Sequence, residues 1–337
     1  MGCWILGCVE RESGALAQAD TRNERTALMA IVPPTMSPQG ASMTDSGAVR
    51  PSARSLHFVA RALGALWSNR KSRVGLAILA FFILVAIFAP WLAPHSPTAT
   101  NFRPYQNPNS VNWLGTTGNG QDVLSQMIYG TRVSLLVGLG AGLLATFLAL
   151  LIGLIAGFRP GVVDDVLSFT TNLALVLPGL PLMIVIAAYL RSNSTWMILL
   201  VIGFTGWATG ARVMRSQTAT LRTRDFVTAA TFSGERLFRI VFREILPNMV
   251  SLAAASFFGA ATAAVIAAAS LEFLGMGNPN SVSWGSILYW AENDNALLTG
   301  QWVLVLVPGM AIVMLALSFI LINFGIDALS NPRLRER

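Results

Sequence analysis

The chain has 337 residues, of which 54% are hydrophobic and 12% are charged, and its formal net charge at pH 7 is +7. A soluble globular protein has about 25% charged residues, so this composition excludes an ordinary soluble domain and predicts an integral membrane protein. The positive charge does not indicate nucleic-acid binding, because the arginines lie in short segments between apolar runs and form no single basic face.

Residues 1–54 form a predicted N-terminal extension. Prolines, glycines and hydroxyl residues recur in it without a sustained apolar period, so we expect a disordered cytoplasmic segment. Besides Met1, three methionines in it are alternative start sites: Met29, Met36 and Met43. Both cysteines of the chain, Cys3 and Cys8, also lie here, which leaves the rest of the chain without a disulfide or a cysteine-based metal site.

The next two predicted elements approach and cross the membrane. Residues 55–73 combine apolar positions at helical spacing with several arginines, which predicts an amphipathic helix on the inner leaflet. Residues 74–92 are an uncharged apolar run of about 19 residues, which as a helix is about 28 Å long and matches the hydrocarbon core. Three prolines are expected to end this first span: Pro90, Pro94 and Pro97.

Residues 93–132 are polar and rich in asparagine and proline, which predicts an external loop. A short helix over 121–129 is expected to lead from this loop into the next span. The membrane core then covers residues 133–324, with five further predicted spans: 133–158, 166–190, 196–213, 249–271 and 302–324. Glycines in the second span favour close helix packing, and Pro178 and Pro181 are expected to bend the third. The sequence therefore predicts an all-α membrane protein with six transmembrane helices.

The distribution of basic residues predicts the orientation of these spans. If both termini are cytoplasmic, only three basic residues fall on the outer side: Arg103, Arg132 and Arg191. The positive-inside rule favours this arrangement. It puts the tail 325–337 and the loop 213–247, between spans four and five, in the cytoplasm of a multi-pass plasma-membrane protein.

The sequence also indicates that the chain itself uses neither nucleotide hydrolysis nor ion coupling as a source of transport energy. Its only lysine, Lys71, follows Asn69-Arg70, so no nucleotide-binding P-loop is present. Ion-coupled carriers usually keep acidic or histidine side chains near mid-membrane, and the predicted spans have none there. Glu272 is expected at the outer end of span five with a water-accessible carboxylate. We therefore predict no catalytic residue, cofactor or metal in the chain itself.

Residues 225–248 interrupt the apolar sequence between spans four and five. Small side chains precede Gly234, which permits a helix break, and Pro247 is placed to begin the fifth span. Arginines at three- and four-residue spacing predict a basic face on a second short helix: Arg236, Arg239 and Arg243. Two interpretations remain open from these features, namely a docking site for a soluble protein and an amphipathic connector bound to anionic lipid.

A resemblance favours the first interpretation. Thr228-Ala229-Ala230, followed after three residues by Gly234 and later by Ile245-Leu246-Pro247, resembles the EAA loop of bacterial ABC-importer permeases. In that family the loop is a coupling helix that docks into a cleft of the ATPase subunit. Two departures stand out: Thr228 replaces the usual glutamate and removes its salt bridge, and the isoleucine directly precedes Leu-Pro.

Further motifs resemble the second permease subunit of dipeptide, oligopeptide and nickel ABC importers. These are NWLGT (112–116) with GQDVLS (120–125), LRTRDFV (221–227), LEFLGMG (271–277) with SWG (283–285), and the tail from Asp327 through NPRLR (331–335). Asn172 stands where the family usually has aspartate, and Gln121 where it has arginine. The likeness runs from about residue 55 to the end of the chain.

The resemblance implies a type I ABC-importer permease fold and a defined set of partners. These would be a second permease, two ATPase subunits that bind ATP and Mg²⁺, an extracytoplasmic substrate-binding protein and the membrane lipid. The residues that it assigns to ATPase coupling are Asp225, Phe226, Thr228, Ala229, Ala230, Gly234, Glu235, Arg239 and Arg243. Those for binding-protein docking are Trp113, Gly115, Asp122, Gly275, Gly277, Trp284 and Gly285.

Di- or oligopeptides are the first expected substrates, and nickel complexes, glutathione and haem-like cargo remain open. Two other classes of function are also open at this stage. One is a self-sufficient secondary transporter or channel for a small solute, which the absence of mid-membrane ionisable residues disfavours. The other is a membrane scaffold or receptor that transports nothing.

Overall fold

The computed structural model describes residues 69–190, 194–278 and 280–330. The predicted extension 1–54 and most of the predicted amphipathic helix 55–73 lie outside these residues. In the described part, regular structure is helical, apart from one isolated antiparallel bridge between Thr116 and Asp122. Five helices are long and apolar enough to cross a membrane, and a bent helix pair brings the count to six.

The first span is helix α1, Arg70–Leu92. Asn69 caps its start, where the side-chain oxygen accepts a hydrogen bond from the main-chain N–H of Lys71 at 3.0 Å. The helix begins at Arg70, before the predicted start at residue 74, continues through Pro90, which was expected to help end it, and ends at Leu92. Pro94 lies just past this end, where a proline cannot extend the helix.

Helix α2, Val123–Phe158, is one continuous helix of 36 residues. The prediction of a separate short helix at 121–129 and a loop reaching residue 132 was wrong. Asp122 starts the helix by accepting a hydrogen bond from the main-chain N–H of Ser125 at 2.9 Å. Arg132 is accommodated within α2 because its guanidinium donates to the main-chain oxygens of Ala86 (2.5 Å) and Ile87 (3.3 Å) in α1.

The third span is the bent pair, formed by α3 (Val162–Val176) and α4 (Gly179–Leu190), which meet at 91°. Leu177 between them has an extended backbone (φ −67°, ψ 132°). A residue before proline disfavours the helical conformation, so Pro178 accounts for the break at this point. The predicted bend is confirmed.

The remaining helices continue the chain through a fourth, fifth and sixth span. They are α5 (Thr195–Thr205), α6 (Trp207–Arg222), α7 (Asp225–Phe232), α8 (Leu237–Ile240), α9 (Val250–Phe273), α10 (Trp284–Asn293) and α11 (Val303–Ser330). A π-turn over Val241–Ile245 and a 3₁₀ turn over Leu246–Met249 join α8 to α9. The fourth span, α5 with α6, extends to Arg222, so the predicted limit at residue 213 was too early.

Helix α2 is the centre of the bundle and packs against α1, α5, α6 and α9, while α11 packs against α1 and α9. The glycines of α2 allow these helices to pack closely. A Cβ atom at Gly142 would lie 2.8 Å from the Cα of Ala261 in α9, and one at Gly153 would lie 2.9 Å from the main-chain oxygen of Ala211 in α6. The small-residue packing predicted for this span is therefore present.

Candidate functional site

The segment between α6 and α9 is anchored to the bundle by a small apolar cluster. Val227, on the inner side of α7, is only 1% exposed. It belongs to a buried group contributed by α2, α6, α8 and the turns that follow, namely Leu154, Met214, Ile240, Ile245 and Met249. Burial of these side chains fixes α7 to α2 and α6, so α7 and the bundle are mechanically connected.

The other side of α7 is open. Thr228 and Ala229 are exposed, as is Phe226 next to the buried Val227. Phe232, the last residue of α7, is 86% exposed. An apolar side chain of this size on a short polar connector is typical of a surface that another protein or a lipid covers.

The end of α7 is a Schellman motif built on Gly234. The main-chain N–H of Gly234 donates to the oxygen of Thr231 (3.0 Å), and that of Glu235 donates to the oxygen of Ala230 (3.2 Å). Gly234 has φ +75°, a conformation that costs other residues energy because of their Cβ atom. No atom lies within 4 Å of the position where a Cβ would stand, so the space beside the turn is open.

The segment after Gly234 differs from the single short helix that the sequence predicted. One helical turn, α8, is followed by the π-turn and the 3₁₀ turn, and α9 begins at Val250 instead of Pro247. Pro247 has no N–H to donate, which breaks the regular hydrogen-bond pattern and places the proline in the 3₁₀ turn. Phe238 and Phe242 are exposed, and the centroids of their rings lie 4.2 Å apart with a tilt of 33° between the rings.

The predicted coupling residues lie along this anchored segment. All nine belong to 225–243, and Arg239 and Arg243 have exposed side chains. Arg239 makes only a long contact of 3.9 Å with Glu235, which at such an exposed site contributes little stability. Three exposed aromatic residues were missing from the predicted site: Phe232, Phe238 and Phe242. Their aromatic character within a polar connector was the signal available in the sequence.

The loop between α1 and α2 contains three of the residues predicted to receive a binding protein. Trp113 is 71% exposed, whereas Asp122 is fully buried. Gly115 has φ +79°, and a Cβ there would collide with the main-chain oxygen of Gln106. The side chain of Trp113 is thus accessible to a partner, and Asp122 and Gly115 shape the loop from within.

Glu272, at the end of α9, is buried, and the expectation of a water-accessible carboxylate was wrong. Its side chain is 6% exposed and accepts a hydrogen bond of 2.7 Å from the hydroxyl of Ser283. The main-chain N–H of Gly285 also donates to it. The carboxylate therefore lies at the N-terminus of α10, where free N–H groups and the helix dipole favour negative charge.

The glycines predicted near this point make room for Glu272. A Cβ at Gly277 would lie 2.9 Å from the Cγ of Glu272, and one at Gly285 would collide with its carboxylate oxygen. Trp284 is fully buried, with its indole N–H donating to the main-chain oxygen of Met127 in α2 at 3.2 Å. Gly275 has φ +79° in the turn after α9. These residues hold α10 against the bundle, and their proposed contact with a binding protein stays a prediction.

No group of three or more histidine, cysteine, aspartate or glutamate side chains that could hold a metal ion occurs within residues 69–190, 194–278 and 280–330.

Comparison with known proteins gives two matching family models. Residues 149–336 match the binding-protein-dependent transport system inner membrane component, and residues 58–110 match the N-terminal TM domain of oligopeptide transport permease C.

Curated relatives match most of the chain. Dipeptide transport system permease protein DppC from Bacillus subtilis is 30% identical over 288 residues, covering 84% of this chain and 88% of the relative. DppC from Alkalihalophilus pseudofirmus is 33% identical over 274 residues, covering 80% of this chain and 88% of the relative. Oligopeptide transport system permease protein OppC from Bacillus subtilis is 28% identical over 271 residues, again covering 80% and 88%.

Proposed function

The chain belongs to the family of binding-protein-dependent transport system inner membrane components, and from this premise we propose that it forms half of the translocation pathway of an ATP-driven peptide importer. The observation that carries the coupling role is α7, a short helix with one buried side, one exposed side and a glycine turn at its end. In this proposal α7 and both termini are cytoplasmic, in agreement with the distribution of basic residues.

Di- or oligopeptides are the proposed substrates. Relatives that are named dipeptide and oligopeptide permeases match the chain along most of their length and support this substrate class. The match of residues 58–110 to the N-terminal domain of an oligopeptide permease supports the same class. Family membership alone would leave the substrate open.

The proposed complex contains a second permease, two ATPase subunits and an external binding protein. ATP and Mg²⁺ bind to the ATPase subunits, and this chain makes and breaks no covalent bond. Movement of the ATPase pair would pass through α7 as a lever, because Val227 ties α7 to the same buried cluster as Leu154 of α2 and Met214 of α6. A close-packed contact of this kind transmits displacement with little loss.

One exposed aromatic residue of α7 and one of the loop between α1 and α2 allow a paired test. In the complete reconstituted complex, Phe232→Ala is expected to weaken ATPase binding about tenfold or more while the binding protein still docks, since a buried interface aromatic contributes about 2 kcal/mol. Trp113→Ala is expected to weaken docking of the binding protein about tenfold or more while the ATPase subunits still bind. Leu298→Ala is the matched control, because Leu298 is 86% exposed in an outer turn and has no proposed partner.

A second variant tests the glycine turn. Gly234→Trp is expected to abolish coupled uptake while membrane insertion is unchanged, because a bulky side chain would occupy the open space beside the turn. Normal ATPase binding and normal uptake by this variant would show that the docking assignment is wrong. Uptake by the purified chain alone in liposomes would instead establish a self-sufficient transporter or channel.

A further inference from the structure

A line of polar side chains joins α3 to α6, and we call it the α3–α6 seam. On α3 the seam contains Asp164, Ser168 and Asn172, which are spaced by one helical turn, and on α6 it contains Arg212 and Arg215. Asp164 binds the guanidinium of Arg215 through both of its carboxylate oxygens, and the hydroxyl of Ser168 donates to Asp164 at 3.0 Å. The Nη2 of Arg212 donates to the side-chain oxygen of Asn172 at 2.8 Å.

The two arginines of the seam differ in charge balance. Arg215 is paired with Asp164, whereas the partner of Arg212 is a neutral amide. Within the described part of the chain, no carboxylate lies within 4.0 Å of Arg212. An arginine stays protonated in proteins, so the exposed end of Arg212 carries an uncompensated positive charge.

The position of Arg212 along the fourth span indicates what its charged side chain faces. Arg212 is about ten residues from Arg222 and about 17 from Thr195, which correspond to about 15 Å and 26 Å along the helix. Ionisable side chains inside membrane segments generally face a water-filled cavity or another protein group and mark substrate pathways. A hydrocarbon core of about 30 Å that begins at Thr195 ends about 4 Å beyond Arg212, so Arg212 lies near the inner boundary and its side chain faces water or another protein group instead of lipid tails.

An open groove lies beside Arg212. Thr209, one turn before Arg212 on the same face of α6, lines a groove of about 340 Å³ between α2, α6 and α9. Its walls are small or hydroxyl-bearing side chains, including those of Thr146, Ser256 and Ala260. Arg212 itself does not line the groove, but residues three apart on a helix are neighbours, so a ligand that contacts Thr209 from the groove can place a negative group against Arg212.

We propose that Arg212 binds a carboxylate of the transported substrate beside this groove, and that Asn172 orients Arg212 without neutralising its charge. An arginine and a carboxylate form a strong, bidentate pair, so the contact selects substrates with a free acid group. The inference rests on the proposed import of peptides, in which the C-terminal carboxylate is the group common to all free-acid substrates.

The test compares uptake of dialanine with uptake of dialanine amide by the complete complex in vesicles. Arg212→Gln removes the charge, and Asn172→Asp supplies an internal carboxylate at the position where Arg212 already bonds. Relative to wild type, both variants are expected to lower dialanine uptake efficiency about tenfold and amide uptake by less than about twofold. Arg159→Gln is the control, because Arg159 is an exposed arginine at the end of α2 and outside the seam.

Several outcomes would overturn the assignment. An equal fall in the uptake of dialanine and of dialanine amide would show that Arg212 does not bind the substrate carboxylate. An effect that follows the anionic lipid content of the vesicles would make a lipid phosphate the ligand of Arg212, and loss of co-purification with the second permease would make the seam a subunit interface. If the wild-type complex takes up neither peptide, the proposed peptide import fails and this inference fails with it.

Discussion

Glu272 provides the sharpest test of how the outer end of the bundle is held together. The substitution Glu272→Gln keeps the size of the side chain and removes its charge. The carboxylate accepts hydrogen bonds from the hydroxyl of Ser283 and from the main-chain N–H of Gly285. A glutamine oxygen can accept from both donors, but the two hydrogen bonds then go to a neutral group and are weaker.

The magnitude follows from replacing two hydrogen bonds to a charged group, about 1.5–3 kcal/mol each, by two to a neutral group, about 0.5–1.5 kcal/mol each, which is a loss of about 1.5–3 kcal/mol in total. For a folded unit of this size, each kcal/mol lowers the melting temperature by about 2–4 °C, so Glu272→Gln is expected to lower it by roughly 3–12 °C. The measurement is a thermal melt of the detergent-solubilised complex. Glu292→Gln is the matched control, because Glu292 is an exposed glutamate on α10.

A double-mutant cycle identifies the partner of Glu272. Ser283→Ala alone is expected to cost about 0.5–2 kcal/mol, because Ser283 also caps α10. Combined with Glu272→Gln, the total should fall short of the sum by about 1 kcal/mol, since the two residues share one hydrogen bond. Equal melting temperatures for Glu272→Gln and Glu292→Gln, or strict additivity in the cycle, would refute the buried contact as a stabilising element.

Three further predictions concern the helix contacts. Gly142→Val is expected to prevent stable folding, because its side chain would meet the backbone of α9. Gly309→Val should be tolerated, because no atom of the described residues lies within 4 Å of its Cβ position. The yield of folded protein in detergent measures both effects. Gly234→Ala should destabilise the turn by about 1–2 kcal/mol through its positive φ, seen as faster hydrogen exchange of α7. Arg215→Lys should cost about 1 kcal/mol in a thermal melt, because lysine cannot bind both oxygens of Asp164, and an unchanged melt would contradict this.

Much of the architecture could be predicted from the sequence because it depends on local patterns. Long apolar runs identify membrane helices whatever their neighbours are, and five such helices and one bent pair are present in the part of the chain that the structure describes. The break before Pro178 and the left-handed turn at Gly234 follow from the chemistry of proline and glycine alone. These features required no knowledge of tertiary contacts.

The errors arose where tertiary contacts decide the outcome. Arg132 suggested a membrane boundary, yet main-chain oxygens of α1 bind its guanidinium and α2 continues through it. Glu272 suggested a water-exposed end, yet the start of α10, eleven residues later, supplies its hydrogen bonds. In both cases the partner of the charged group comes from another helix, and the spacing of residues in the sequence does not reveal it.

The structure also connects the proposed coupling segment to the proposed substrate contact through one helix, α6. Met214 of α6 is part of the buried cluster that holds Val227 of α7, and Arg212 lies two residues earlier on the exposed face of the same helix. A rotation of α6 driven through α7 would therefore change the direction in which Arg212 points. Because a helix turn is rigid over such a short distance, ATPase movement and release of a bound carboxylate can be coupled through α6 without a longer chain of contacts.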